Sequence, residues 1–309
     1  MRFLVIGDVH LKTVAANRSD VIWETQKEKL REVFEIAQAE KVAAIVQAGD
    51  LFNSASVPHE LVSELIELLN DVHDAWQGTP PPLLGILGQH DKYMRTGLKR
   101  SPARTIAAAG RWNQLNEVPW IQGAVAFYGA DFGEPIPSAA GRSTGFKRVL
   151  VIHAPISPEP RFPGDTDYIR PLELLRGPEA REYDLIICGD YHYPFFLERT
   201  KKFPAVLNTG ALTRQTIADK DQMPEVVVYD LQSGKLEKFR LKSAAKNPFG
   251  SAKKAKVDSE ALHQLVERLK AAKVGDLNFI GALMAAMDRE RIADSARAMI
   301  ERAMEATTE

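Results

Sequence analysis

Short apolar runs alternate with helical-period segments over the first ninety residues. Phe3–Ile6 reads as a buried strand. Asp20 to Glu40 reads as a helix, with Ile22, Leu30, Val33, Phe34 and Ala37 on one face. Val42–Val46 is a second strand, and a helix from Pro58 to Trp76 repeats Leu61, Leu65, Leu68, Leu69 and Val72 at helical spacing. Pro80, Pro81 and Pro82 break the chain before a third strand, Leu83–Leu87. This β-α-β-α-β order implies right-handed crossovers and a largely parallel sheet.

After Gly110 the pattern turns β-rich. It predicts strands over Ala124–Tyr128, Arg148–Ile152, Leu185–Cys188, Phe195–Glu198, Ala205–Leu207, Glu225–Tyr229 and Leu236–Leu241. Val149 to Ile152 and Leu185 to Cys188 are continuously apolar, as expected of strands covered on both faces. A two-sheet α/β core ending near residue 243 fits this order. Residues 244–257 read as a basic linker, and the wider stretch 235–257 carries eight basic residues against Glu237 alone. Residues 258–309 read as a helical segment with apolar stripes such as Leu262, Leu265, Val266 and Leu269.

Composition narrows the class without naming a chemistry. Lys and Arg total 40 against 41 Asp and Glu, so no global basic excess points to nucleic acid. No apolar run is long enough for a transmembrane helix. The first residues run straight into a strand without a signal-peptide pattern, and Cys188 is the single cysteine. A cytoplasmic protein is expected.

Five strand ends carry the candidate chemistry: Gly7-Asp8-Val9-His10, Gly49-Asp50, Gly88-Gln89-His90-Asp91, His153 and Gly189-Asp190-Tyr191-His192. In open α/β sheets ligands bind beyond the carboxyl ends of strands, so five such loops can converge. Asp8 and His10, like Asp190 and His192, are two apart, which in extended backbone sends both side chains to one side. Mixed carboxylate and imidazole donors suit manganese, iron or zinc better than calcium. His59, His73 and His263 lie in helical-pattern sequence and read as exposed helix residues.

The ordered set resembles the calcineurin-like metallophosphoesterase superfamily, whose pattern runs D-x-H, G-D, G-N-H-D/E, H, G-H-x-H. The Gly49-Asp50-Leu51-Phe52 form and the segment Asn208 to Arg214 look most like SbcD-type DNA repair nucleases. The resemblance covers residues 1–243 and implies a two-sheet α/β metallophosphoesterase sandwich flanked by helices. It also implies two divalent metals, manganese first, with magnesium or iron as alternatives. Asp8, His10 and His192 would hold one, Gln89, His153 and Asp190 the other, and Asp50 would bridge. His90 would protonate the leaving group, with Asp91 orienting its ring. Two positions depart from the pattern: Gln89 stands where the family has Asn, and Asp190 where it has His. The extra carboxylate makes the pocket harder and more acidic, which favours manganese- or magnesium-like ions.

Lys92, Tyr93, Arg95, Lys99 and Arg100 follow the third motif and are candidates for phosphate and base contact, with Arg214 beyond the last motif. Arg161, Phe162, Tyr168 and Arg170 could line a rim. The resemblance implies DNA as substrate, and an SbcC-type P-loop ATPase whose coiled coil docks on the C-terminal helices, or a homodimer. Two alternatives stand beside it: a small-substrate phosphodiesterase or phosphatase on the same scaffold, and a weakly catalytic scaffold that binds DNA ends or the ATPase.

Overall fold

The alternation of side chains along each strand sorts the core into layers. The computed structural model describes residues 1–15, 18–93, 98–160, 165–244 and 247–249. One six-stranded sheet contains β1 (Arg2–Ile6), β2 (Ile45–Gln47), β3 (Leu83–Gly85), β4 (Asn113–Gln114), β11 (Glu225–Asp230) and β12 (Lys235–Arg240), ordered β12-β11-β1-β2-β3-β4. The other contains β5 (Trp120–Gln122), β6 (Val125–Ala130), β7 (Lys147–His153), β8 (Leu185–Gly189), β9 (Phe195–Leu197) and β10 (Ala205–Asn208), ordered β5-β6-β7-β8-β10-β9. In β1, Phe3 and Val5 face the second sheet and meet Phe127, Val149, Val151 and Ile187. Leu4 and Ile6 face the opposite way, onto α1 (Ile22–Ala39) and α2 (His59–Ala75), where Leu30, Val33, Leu61 and Leu65 wait. The outer face of the second sheet, with Tyr128, Leu150 and Ile186, is covered by Leu175, Ala180 and Tyr183.

β1, β2, β3 and β4 pair in parallel, as do β6, β7, β8 and β10; β11, β12, β5 and β9 pair antiparallel at the margins. Parallel pairing sends the ends of β1, β2 and β3 to one edge and those of β6, β7 and β8 to one edge, which is where the motif loops begin. Every residue of β8 and the last five of β7 are buried, in keeping with the unbroken apolar runs. β4 and β5 are two and three residues long and partly exposed, too short to register as strands in the pattern. α3 (Ala103–Ala108) and α4 (Pro171–Leu174) are two short helices that the pattern did not indicate.

The end of the core differs from expectation. Asn247 to Phe249, expected inside the linker, pack back: Ser19 donates its backbone N–H to the Pro248 carbonyl at 2.7 Å, and Phe249 is buried. The helical segment expected over 258–309, and its docking role, lie outside the described residues. Among the described residues no helix is long and apolar enough to cross a membrane.

Candidate metal centre

Each motif loop begins where a parallel strand stops, and the loops are laced together before any side chain is considered. Val9 and His10 donate backbone N–H bonds to the Asp50 carbonyl at 3.0 Å, and Leu11 donates to Leu51 at 2.9 Å. Asp190 donates its N–H to the Asp8 carboxylate at 3.1 Å. The pairs two residues apart do not converge through extended backbone as expected. His10, Asp50 and Asp190 have φ of 53°, 50° and 85°, in the left-handed region that costs a side-chain-bearing residue energy. That turn, rather than strand alternation, aims the side chains into one cluster. The backbone holds the strained residues because the loops are pinned on both sides.

Six of the nine residues expected to act as ligands or catalysts meet in three overlapping groups: Asp8, His10 and His192; His10, Asp50 and His90; Asp8, Asp50 and His153. Asp50 Oδ2 is the hub, with Nε2 of His153 at 3.4 Å and Nε2 of His10 and His90 each at 3.9 Å. His10 Nε2 lies 3.1 Å from His192 Nε2, and His192 Nε2 lies 3.5 Å from Asp8 Oδ2. Asp50 Oδ2, His153 Nε2, His10 Nδ1 and Gln89 Oε1 are buried without a hydrogen-bond partner among the described residues. Metal–donor bonds near 2.0–2.2 Å set neighbouring donors roughly 3–4 Å apart, so these separations and the orphaned Asp50 Oδ2, His153 Nε2 and Gln89 Oε1 fit divalent metal ions. Gln89 Nε2 donates to Asp190 Oδ1 at 2.6 Å, which ties the two departures from the family pattern to each other. Asp190 lies in none of the three groups.

Close approach sets the glycines. A Cβ on Gly88 would overlap the Asp50 carboxylate, and one on Gly49, whose φ is 97°, would overlap the His153 ring. Asp50 Oδ1 accepts the His90 backbone N–H at 2.9 Å, so the second and third motifs meet through this carboxylate.

Charge balance in the cluster is short of cations. Burial alone would push His153 down, but the carboxylates of Asp50, Asp8 and Asp190 reverse this and hold it up at about 10. Burial raises Asp50, while His153, His10 and His90 draw it down to about 2. Burial pushes Asp8 well above the usual carboxylate range, with His153 lowering it and Asp50 raising it. His10 and His192 are pushed down chiefly by burial and stand neutral, as ligands must. A protonated His153 thus supplies positive charge that a metal would supply on displacing its proton. Its Nδ1 donates to the Ala48 carbonyl at 2.7 Å, so Nε2 is the atom that faces Asp50.

The model of the calcineurin-like phosphoesterase family matches residues 1–194, well over half the chain. The chain belongs to the calcineurin-like phosphoesterase family. Among solved structures it is similar to the TT1561 protein of Thermus thermophilus, at 12% identity and TM-score 0.48 over 77% of this chain and 98% of that one. It is also similar to the hypothetical protein PH1004 of Pyrococcus horikoshii, at 11% identity and TM-score 0.39 over 78% and 87%. No curated protein matches the chain.

In this phosphoesterase His90 sits at the mouth of the cluster, its side chain 45% exposed, with His192 at 29%. Asp91 does not orient His90. It is fully buried and accepts N–H bonds from Phe52 at 2.8 Å, Gly88 at 3.0 Å and Leu51 at 3.1 Å, so it buckles the Asp50 loop to the Gly88 loop. Burial and the Asp50 charge raise it to about 7 against those three bonds. The Asn53 carbonyl orients His90 instead, lying 3.1 Å from Nδ1, which donates to it and leaves Nε2 toward the cluster.

The expected substrate residues separate. Tyr93, Lys99 and Arg100 are exposed, and the Arg100 guanidinium lies 5.9 Å from the Tyr93 ring centre. Lys92 donates to the Phe132 carbonyl at 2.7 Å and pairs with Glu134, so it braces a loop. Arg214 is not on the surface: it is buried and donates to the carbonyls of Lys220 and Ala244, tying chain segments together. Arg95, Arg161 and Phe162 lie outside the described residues, while Tyr168 is half-buried, Arg170 is exposed and the two contact each other. Phe132 escaped the sequence reading. It directly follows Asp131 at the end of β6, and its exposed ring lies 6.2 Å from the His153 ring. The rule that parallel strands end at the site would have flagged it.

Proposed function

We propose that this phosphoesterase is a metal-dependent nuclease that hydrolyses phosphodiester bonds of DNA. When bound, a pair of divalent ions, manganese by preference, supplies Lewis-acid activation of water and neutralises phosphate charge. Asp8, His10 and His192 would hold one ion and His153, with the Gln89 carbonyl and Asp190, the other, while Asp50 would serve both. His90 is the proton carrier. Its Nδ1–H is taken up by Asn53, and Nε2 of this half-exposed side chain is the atom left to donate to the departing oxygen.

The observation that carries the reading is the open side of the cluster at His90; the exposed Tyr93, three residues further along the chain, has the Arg100 guanidinium 5.9 Å from its ring centre. An aromatic ring beside an arginine accommodates a base and a phosphate together, and an open side admits a polymer. A second reading, a small-substrate phosphodiesterase, is favoured by the internal bonds of Lys92 and Arg214, which remove two cations from phosphate contact. An ATPase partner for residues 258–309 belongs to the nuclease proposal. The test is a panel of single-stranded and duplex oligonucleotides beside bis(p-nitrophenyl) phosphate and nucleotide esters, with manganese. The nuclease reading expects oligonucleotide cleavage. Turnover of the small esters with every oligonucleotide intact would replace it with the second reading.

A further inference from the structure

Phe132 is a large apolar ring left in solvent, 38% exposed, beside a cluster of buried charges. Its ring stands at 70° to the His153 ring. The segment that carries it is fixed from several directions. Phe132 donates its N–H to the Leu87 carbonyl at 2.8 Å, and Leu87 donates back to Asp131 Oδ1 at 2.8 Å. Gln114 Nε2 donates to Asp131 Oδ2 at 2.9 Å, and Glu134 donates its N–H to the Asp131 carbonyl at 2.9 Å. Lys92 Nζ, two residues beyond His90, donates to the Phe132 carbonyl at 2.7 Å. Leu87 is two residues before Gln89 in the third motif. The backbone that carries the ring is therefore tied to the same loop that supplies His90. A rigid ring loses little entropy on stacking, which is what a platform requires.

We infer that Phe132 is a specificity-determining platform that stacks an unpaired nucleobase next to the scissile phosphate. The inference rests on the proposed reading of the site as one that hydrolyses phosphodiesters of nucleotides, in DNA or in small esters. A ring that merely shields His153 would be replaceable by any apolar side chain of similar size, whereas stacking needs a π face.

The experiment measures a ratio: kcat/KM for an oligonucleotide divided by kcat/KM for the same strand with abasic sites flanking the scissile phosphate. The wild type is expected to prefer the intact strand by about 5- to 150-fold, the range of one base–aromatic stack. Phe132→Leu keeps an apolar cover over His153 and is expected to lower the ratio by at least about fivefold; Phe132→Trp is expected to retain it. Where the wild type cleaves no oligonucleotide, the nuclease reading has failed on its own. The same ratio is then read with thymidine 5′-(p-nitrophenyl phosphate) against methyl p-nitrophenyl phosphate. With either pair, a wild type that shows no preference, or a Phe132→Leu enzyme that keeps it, overturns the platform.

Discussion

Lys29 is buried on α1 with its ammonium donating to the Leu212 carbonyl at 3.0 Å, and the neighbouring cations Arg18 and Arg214 oppose its charge. Burial first, then those two cations, lower it to about 7. An unfolded lysine titrates near 10.4, so between pH 7 and 10 the unfolded chain binds more protons and stability rises with pH. Below pH 7 both states carry the charge, and the folded state bears the whole difference, about 4–5 kcal/mol relative to an unperturbed lysine. Lys29→Met removes that charge but strands the Leu212 carbonyl, at a cost of about 1–3 kcal/mol. The variant is therefore expected to be more stable than the wild type by about 2–3 kcal/mol at pH 6.5. By pH 9.5 the advantage shrinks by about 3 kcal/mol, leaving it equal or slightly weaker. Urea unfolding of both proteins at the two pH values measures the difference, and groups common to both cancel. A stability difference that does not move with pH would refute the buried-charge assignment.

His90→Ala is expected to lower kcat by about 10²- to 10⁴-fold with metal content unchanged, measured by steady-state turnover beside elemental analysis. Asp91→Asn keeps the shape but weakens its three N–H bonds, two of which join the two loops, and is expected to destabilise by about 2–4 kcal/mol in urea unfolding. An unaltered midpoint would mean the buckle is idle. Gly88→Ala drives a methyl into Asp50, so calorimetric titration with manganese is expected to show at least a tenfold loss of affinity.

The central strands of the sandwich, such as β7 and β8, were legible because they are buried on both faces and written as unbroken apolar runs. β4 and β5 were not, since Asn113, Gln114, Trp120 and Ile121 are partly exposed edge residues without a periodic signal. The histidines and carboxylates at strand ends were legible as types and positions. How they converge was not: left-handed backbone at His10, Asp50 and Asp190 depends on long-range N–H bonds that no local pattern records. The same holds for the role of Asp91, whose three donors come from two separate loops. Arg214 read as a substrate contact because charge on a motif-adjacent loop normally faces water. Here its partners, Lys220 and Ala244, are brought in by later segments.

The central claim is that divalent metal completes the orphaned donors of the cluster, which then hydrolyses a phosphodiester. The most direct measurement is turnover of bis(p-nitrophenyl) phosphate by chelator-stripped protein as manganese is returned, with Asp50→Asn alongside. Activity is expected to be absent when stripped, to rise and saturate as about two ions bind per chain, and to stay absent in Asp50→Asn. Turnover that persists without metal, or that survives in Asp50→Asn at saturating manganese, would contradict it.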